Sequence, residues 1–500
     1  LADIHTYDRV TFGRKVIYTD VDRIDASNIL EVLDSAMQIH SANRSDIQYL
    51  YNVYLGKMDI LLKTKEVRPE INNKIVVNYP YRIVRFKTGY EFGDPIQYVS
   101  RQSKEKGSIE EESEAIRTLN RYMLAEEKQT CDISLGNWTY IAGTGYRIAL
   151  QDDVADEDEA PFEIEALDPR FTFVVYSRKI GHRQMMCGTF YEDDFGQPTY
   201  SLYTDTESFT IKNGSIYEVK PYVAVSQPII EYYFNDARMG AFEPVLSLCN
   251  AINRTVSGQL DGLEQLVQAL AVFKNVNIDA EDFDALRDKG AILVPSDGDV
   301  KYLIQDIDQI NVQTLVNSAY RQILEITGLP NRDNGYSGDD TGKAVIYKNG
   351  WSDAEAYAKN DEMMFKKSET RFLKLIIDIC NTLRGTGLKI GDIEINFTRR
   401  NYENIAAKAE VLMAMLGTPK IHPRLAFEHS GLFPDPENAY AISMQYEEEQ
   451  EKKALEQMEL EAQATMQPTT KVDINDGEGG SGVAQRPGSN QQRNMWGQFT

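Results

Sequence analysis

The residues of this chain that come nearest to familiar chemistry are "GYSGDDTGKAVIYK", positions 335 to 348, where Gly342-Lys343-Ala344 approaches a phosphate-binding loop. That loop needs G-x-x-x-x-G-K-[ST] after a strand and ahead of a helix. Four residues between the glycines wrap backbone amides around phosphates, and the hydroxyl ligates magnesium. Here Gly338 leaves only three residues before Gly342, Ala344 replaces the hydroxyl, and Asp339 and Asp340 repel a triphosphate. The preceding element reads as a helix ending at Pro330. Nucleotide chemistry is therefore not expected, and Gly143 and Gly145 add only a G-x-G in a hairpin context.

The other reactive residue types are dispersed. Cys131, Cys187, Cys249 and Cys380 form no C-x-x-C pair and read as buried, reduced side chains. His422 and His429 are seven apart around Pro423, without the carboxylates of a metalloenzyme. The acidic run "QDDVADEDEA" has no calcium-loop spacing and reads as a hairpin tip. No Ser/His or Cys/His constellation emerges, so no catalytic, cofactor-binding or metal-ligating residue is assigned.

The surrounding pattern is mixed. Residues 25 to 67 have helical spacing with Ser27 and Ser45 as caps and Gly56 as a stop. "NKIVVNYPYRIVRFKTGYEFGDPIQY" (73–98) is a buried apolar segment closed by a turn at Gly93-Asp94-Pro95, and 108–130 is helical again. From Asn137 to about Asn235, "WTYIAGTGYRIAL", "FTFVVYS", "MMCGTFYED", "YSLYT", "SIYEV" and "PIIEYYF" predict an antiparallel β region. Val245, Cys249, Ile252, Val256, Leu260, Leu263, Val267 and Leu270 then draw one stripe along a helix over 242–273. Its partner is 311–327, with Val312, Leu315, Val316, Ala319, Ile323 and Ile326 on one face. Between them Asp279 caps a short helix, and "AILV", "PSDG" and "DVKYLI" read as a hairpin, so a small α/β knob projects from the pair. A loop of about 20 residues leads to a capping box, Ser352-Asp353-Ala354-Glu355, opening a helix to Arg384. The strand "DIEINFT", the helix "ENIAAKAEVLMAML" and a charged helical segment follow. The tail from about Met466 is too polar and Gly-rich to fold alone.

With 42% hydrophobic residues the chain can bury a sizeable core. Its most apolar stretch, Phe372 to Cys380, is broken by Lys374 and Asp378, so no membrane anchor is expected. The start lacks Met and an apolar signal core, which points away from secretion. The net charge of -24 opposes a DNA clamp, which needs a basic face.

In order, "YLGKMDI", the 73–98 block, "LDPRFTFVVYS", the run from "PIIEYYFNDARMG" to "ALAVFKN", and "SGDDTGKAVIYK" resemble the portal proteins of tailed double-stranded DNA bacteriophages, over roughly residues 25 to 450. The resemblance implies an α+β portal fold assembled as a ring, a dodecamer, at one capsid vertex. It assigns 1–24 to an N-terminal arm, 25–241 and 352–400 to a wing, and 242–273 and 311–329 to a two-helix stem. It assigns 274–310 to a clip, 330–351 to a tunnel loop, 401–465 to a helical crown and 466–500 to a disordered tail. Tyr336, Lys343, Lys348, Asn349 and Trp351 are the implied channel residues, and Asp282, Arg287, Asp297 and Asp299 the implied docking residues of the clip.

Such a protein is not an enzyme and carries no cofactor. It belongs to the virion, and to the host cytoplasm during assembly. It nucleates procapsid assembly with the major capsid and scaffolding proteins, seats the large terminase subunit, and later meets a head-completion or adaptor protein. Duplex DNA passes through it without sequence preference during packaging and ejection. Twelve copies carry twelve times -24, or -288, and a mostly acidic lining lowers the friction on a sliding duplex. The competing class, an ATP-dependent or nucleolytic enzyme, requires the phosphate loop or carboxylate pair that the spacing lacks.

Overall fold

The computed structural model describes residues 13–101, 109–152, 159–267, 270–274, 299–303, 309–331, 350–397, 405–433 and 436–465. The chain divides into two units, Leu1–Pro436 and Glu437–Thr500.

In the first unit, strand β1 (Ile17–Thr19) precedes helix α1 (Ile29–Tyr54). The helix runs without a break through Ser45, so Ser45 is not a cap; Gly56, at φ 84, does mark its end, and only a short 3-10 turn (Asp59–Leu62) follows. Ile29, Val32, Leu33 and Ala36 lie on its buried face and pack on a six-stranded sheet. The strands of that sheet are β1, β5 (Thr172–Ser177), β6 (Gln184–Glu192), β7 (Pro198–Tyr203), β8 (Glu207–Lys212) and β9 (Ser215–Pro221), neighbours in that order. It is antiparallel apart from β1, which runs parallel to β5.

The 73–98 block is extended over its first residues and then becomes helix α2 (Tyr79–Glu91). Pro80 sits in its first turn, where a missing N–H costs nothing, and the Asn78 side chain accepts from the Tyr81 amide. Strand β2 (Gln97–Ser100), α3 (Ile109–Ala125) and α4 (Lys128–Ala142) follow. Trp138–Ala142 was expected to be strand and is the last turn of α4. The aromatic and β-branched look of "WTYIA" reflects burial between helices and sheet, which overrides local propensity. Gly143 ends α4 at φ 80, where a Cβ would lie 1.9 Å from the Arg238 carbonyl oxygen, so only glycine fits.

β3 (Gly145–Gln151) and β4 (Phe162–Leu167) form a hairpin whose residues 153–158 lie outside the described set, and β10 (Ile229–Tyr232) pairs with the other edge of β3. β4 and β8 were not anticipated as strands.

Helix α5 (Leu246–Val267) ends short of the expected 273. Leu270–Lys274 is instead strand β11, paired antiparallel with β12 (Asp299–Leu303). "DVKYLI" is thus a strand as expected, while "AILV" and the short helix after Asp279 lie outside the described residues. Helix α6 (Gln309–Thr327) returns alongside α5. Helix α7 (Trp351–Arg384), about 50 Å long, threads the largest hydrophobic cluster through Phe365, Phe372, Leu373 and Ile376. It starts at Trp351 behind Gly350 at φ 75, with no side-chain cap, so the Ser352 capping box does not form. β13 (Ile393–Asn396) pairs with β2, and α8 (Ile405–Leu416) packs on α9 (Pro423–Ser430). Helix α10 (Pro436–Thr465), which apart from Pro436 lies in the second unit, is highly charged and largely exposed. No helix of the described residues is long and apolar enough to cross a membrane.

Candidate functional site

Helix α5 has two working faces. Cys249, Ile252 and Val256 belong to the cluster that also holds Val316, Ala319 and Ile323 of α6. On its flank Asn253, Ser257 and Asp261 recur every fourth residue, a spacing of about 6 Å along a helix. Alternate residues of an extended chain are about 6.6 Å apart. The two repeats match, and the extended segment before α2 is zipped onto α5. The Val77 amide donates to Asn253 Oδ1 (2.8 Å), Ile75 to Ser257 Oγ (2.9 Å) and Asn73 to Asp261 Oδ1 (2.7 Å). Asn250 Nδ2 extends the row to Asp59 (3.1 Å), and Glu264 accepts from Asn73 Nδ2 (3.0 Å).

Asp261 is the strongest link of this zipper. Its Oδ2 accepts from Lys63 Nζ at 2.6 Å and Lys65 Nζ at 3.1 Å, and its Oδ1 also takes Asn73 Nδ2 at 2.9 Å. Burial pushes its pKa up, but the bonds from Lys63, the Asn73 amide and Lys65 outweigh that and hold it well below the usual carboxylate range. None of this was anticipated. Polar residues at helical spacing read as a solvated face, and the only available signal was their placement directly beside the apolar stripe.

The α5–α6 pair leaves apolar surface uncovered. Ile310 is 80% exposed, Leu315 60%, Ile326 46%, and Leu263 of α5 44%. Leu315 and Ile326 were expected on the buried face. Ala319 and Ile323, expected on the same face, are buried there together with Leu324, while Leu315 and Ile326 at its edge face outward.

Behind the helix pair, a polar network ties α4, β3 and α7 together. Glu369 is fully buried and accepts from Tyr98 Oη (2.5 Å), Tyr232 Oη (2.8 Å), Arg147 Nη1 (2.9 Å) and, as an ion pair, Lys128 Nζ (3.0 Å). Asp132 pairs with both Lys128 and Arg147. Two cations meet two carboxylates. Burial opposes ionisation of Glu369, yet Lys128 and Arg147 bring its pKa down to about 2. Burial also raises the Tyr98 and Tyr232 hydroxyls well above their ordinary value, so at neutral pH Glu369 is ionised and both tyrosines stay protonated. Burial likewise pushes Cys187, Cys249 and Cys380 up to about 12 and brings His40 down to about 4. These thiols are inert at neutral pH, and the imidazole is neutral. His422 caps α9 through Nδ1, which accepts from the Arg424 amide at 3.2 Å.

The architecture can now be compared with known families. Residues 34–467 match the family described as "Phage portal protein, SPP1 Gp6-like". The chain belongs to this portal family. Its function is accordingly structural, as a component of the virion, and not enzymatic. A search of curated proteins returns no match. Among solved structures, a chain from "Neck of native GTA particle computed with C12 symmetry" is similar at 10% identity, with a TM-score of 0.41, over 72% of this chain and 91% of that one.

Of the portal residues expected to line the channel, Tyr336, Lys343, Lys348 and Asn349 lie outside the described residues. Trp351 is within them, half-buried, its ring 6.0 Å from Phe86 and 6.1 Å from Tyr90 of α2. At the end of α6, Leu329 is buried and Gly328 lies close against the Tyr357 ring. Of the docking residues, Asp282, Arg287 and Asp297 lie outside the described residues, and Asp299 opens β12 opposite Lys274. The tail from 466 also lies outside them.

Proposed function

We propose that this portal protein closes, as twelve copies, into the ring that forms the DNA channel at one capsid vertex. In this reading 242–273 and 311–329, built on α5 and α6, are the stem, 330–351 the tunnel loop, and 274–310, which includes β12, the clip. Residues 25–241 and 352–400 are the wing, and 401–465 the crown. The observation that carries the reading is the family match across 34–467, joined by the uncovered apolar ridge of Leu315 and Ile326, which a neighbouring copy would bury. The clip docks the large terminase subunit and later the head-completion protein, and the wing meets the major capsid and scaffolding proteins. DNA moves under the force of that partner motor, since no residue of this chain is assigned to hydrolysis.

The test is the mass and outline of the purified assembly. Twelve chains of 56.8 kDa weigh about 680 kDa and should appear in negative stain as a ring with a central hole. A species that stays monomeric at all concentrations, or one that hydrolyses ATP unaided, overturns the reading.

A further inference from the structure

We propose that Arg82 and Arg85 of α2 form a second contact for the phosphodiester backbone of duplex DNA, separate from the tunnel loop. The inference rests on the conduit reading above and adds a site to it.

The two guanidiniums are exposed, and neither has a carboxylate partner among the described residues, in a chain whose net charge is -24. Unpaired arginine is unexpected there, because the surplus of carboxylates offers partners cheaply. Arg82 is nevertheless held in place. Its Nη1 donates to Tyr320 Oη at 3.0 Å, and its guanidinium lies 5.6 Å from that ring's centroid. Tyr320 is in turn stacked on Tyr79 at 5.5 Å. Pairing with an aromatic hydroxyl orders the side chain without neutralising it and leaves N–H groups for an external anion. Arg85 borders Tyr54, which stands 5.3 Å from Tyr81, so the cations sit on a wall of aromatic rings.

Position favours a phosphate backbone over a peptide carboxylate. Arg82 precedes Phe86 by one helical turn and Tyr90 by two, and those two rings pack on Trp351, just past residues 332–349. The arginines therefore stand beside the base of the segment assigned to the channel, and ring closure would repeat them around the bore.

The experiment measures binding of a fluorescent duplex to the purified full-length ring by anisotropy, as log K against log salt, for wild type, R82Q/R85Q and R82K/R85K. If each arginine meets one phosphate, the glutamine pair lowers the slope by about 1.8 per contacting copy. Between 50 and 200 mM salt, wild type then loses about tenfold more affinity than the variant. The lysine pair restores the slope, and ring mass is unchanged in all three. An unchanged slope in R82Q/R85Q rings refutes the site. Loss of ring assembly in that variant also refutes it, by assigning the pair to a contact between copies. A wild-type chain that forms no ring fails the conduit reading instead.

Discussion

Replacing Asp261 with Asn removes the charge at the centre of the α5 zipper with almost no change in shape. The amide oxygen still accepts from Asn73, but the amide NH2 now faces the Lys63 and Lys65 ammoniums, donor against donor. Hydrogen bonds to charged groups contribute about 1.5–3 kcal/mol each. The lysine side chains keep 21% and 25% exposure, so solvent recovers part of that. The expected local cost is about 2–3 kcal/mol.

That cost falls on the attachment of 73–77 to α5, because α5 remains packed on α6. Amide exchange of Asn73, Ile75 and Val77, followed on the assembled protein, should accelerate by roughly 30- to 150-fold while the interior of α6 is unaffected. Exchange within threefold of wild type at those three amides would show that Asn253 and Ser257 carry the segment alone, and would refute the argument. The pH dependence has a definite sign. Because the folded pKa of Asp261 is depressed, its contribution is fully present above the unfolded value near 3.9 and is lost only as pH falls through the lower folded value. Zipper protection should therefore not change between pH 5 and 8.

Three further substitutions test other parts of the account. Glu369→Gln leaves Arg147 and Lys128 buried with one carboxylate between them and should cost about 3–5 kcal/mol, read as a lower thermal midpoint; an unchanged midpoint would show that Asp132 alone balances both cations. Leu315→Glu should abolish rings in size-exclusion chromatography while shifting chain stability by no more than about 0.5 kcal/mol, and intact rings would exclude the ridge from the subunit interface. Lys343→Ala with Lys348→Ala should leave ring mass unaltered and weaken DNA retention in packaged particles; unchanged packaging and retention would remove both lysines from the channel contact.

The sequence disclosed the parts whose hydrophobic period is unopposed. The stripe of α5, the long helix to Arg384 and most strands of the 145–232 region follow from spacing alone, since each buries one regular face. The errors share a cause. Trp138–Ala142 looks like a strand, and Leu270 continues a helical stripe, because apolar residues satisfy either period over a few positions. A carbonyl pressed on Gly143 and a pairing partner at Leu303 decide these cases from far along the chain. The least legible feature is also the most mechanical one. A row of Asn, Ser and Asp on a helix has no preferred reading until an extended segment with a matching repeat is laid against it, and residues 73–77 are nearly 200 positions away. What makes the row intelligible is geometric: 6 Å against 6.6 Å lets three successive amides find three successive acceptors before the mismatch accumulates. The zipper stops after those three, at Val77, where the chain turns into α2. A fourth repeat would carry the mismatch to about 2 Å, beyond the tolerance of a hydrogen bond. Asn78 as cap and Pro80 in the first turn then start α2 where this attachment to α5 ends.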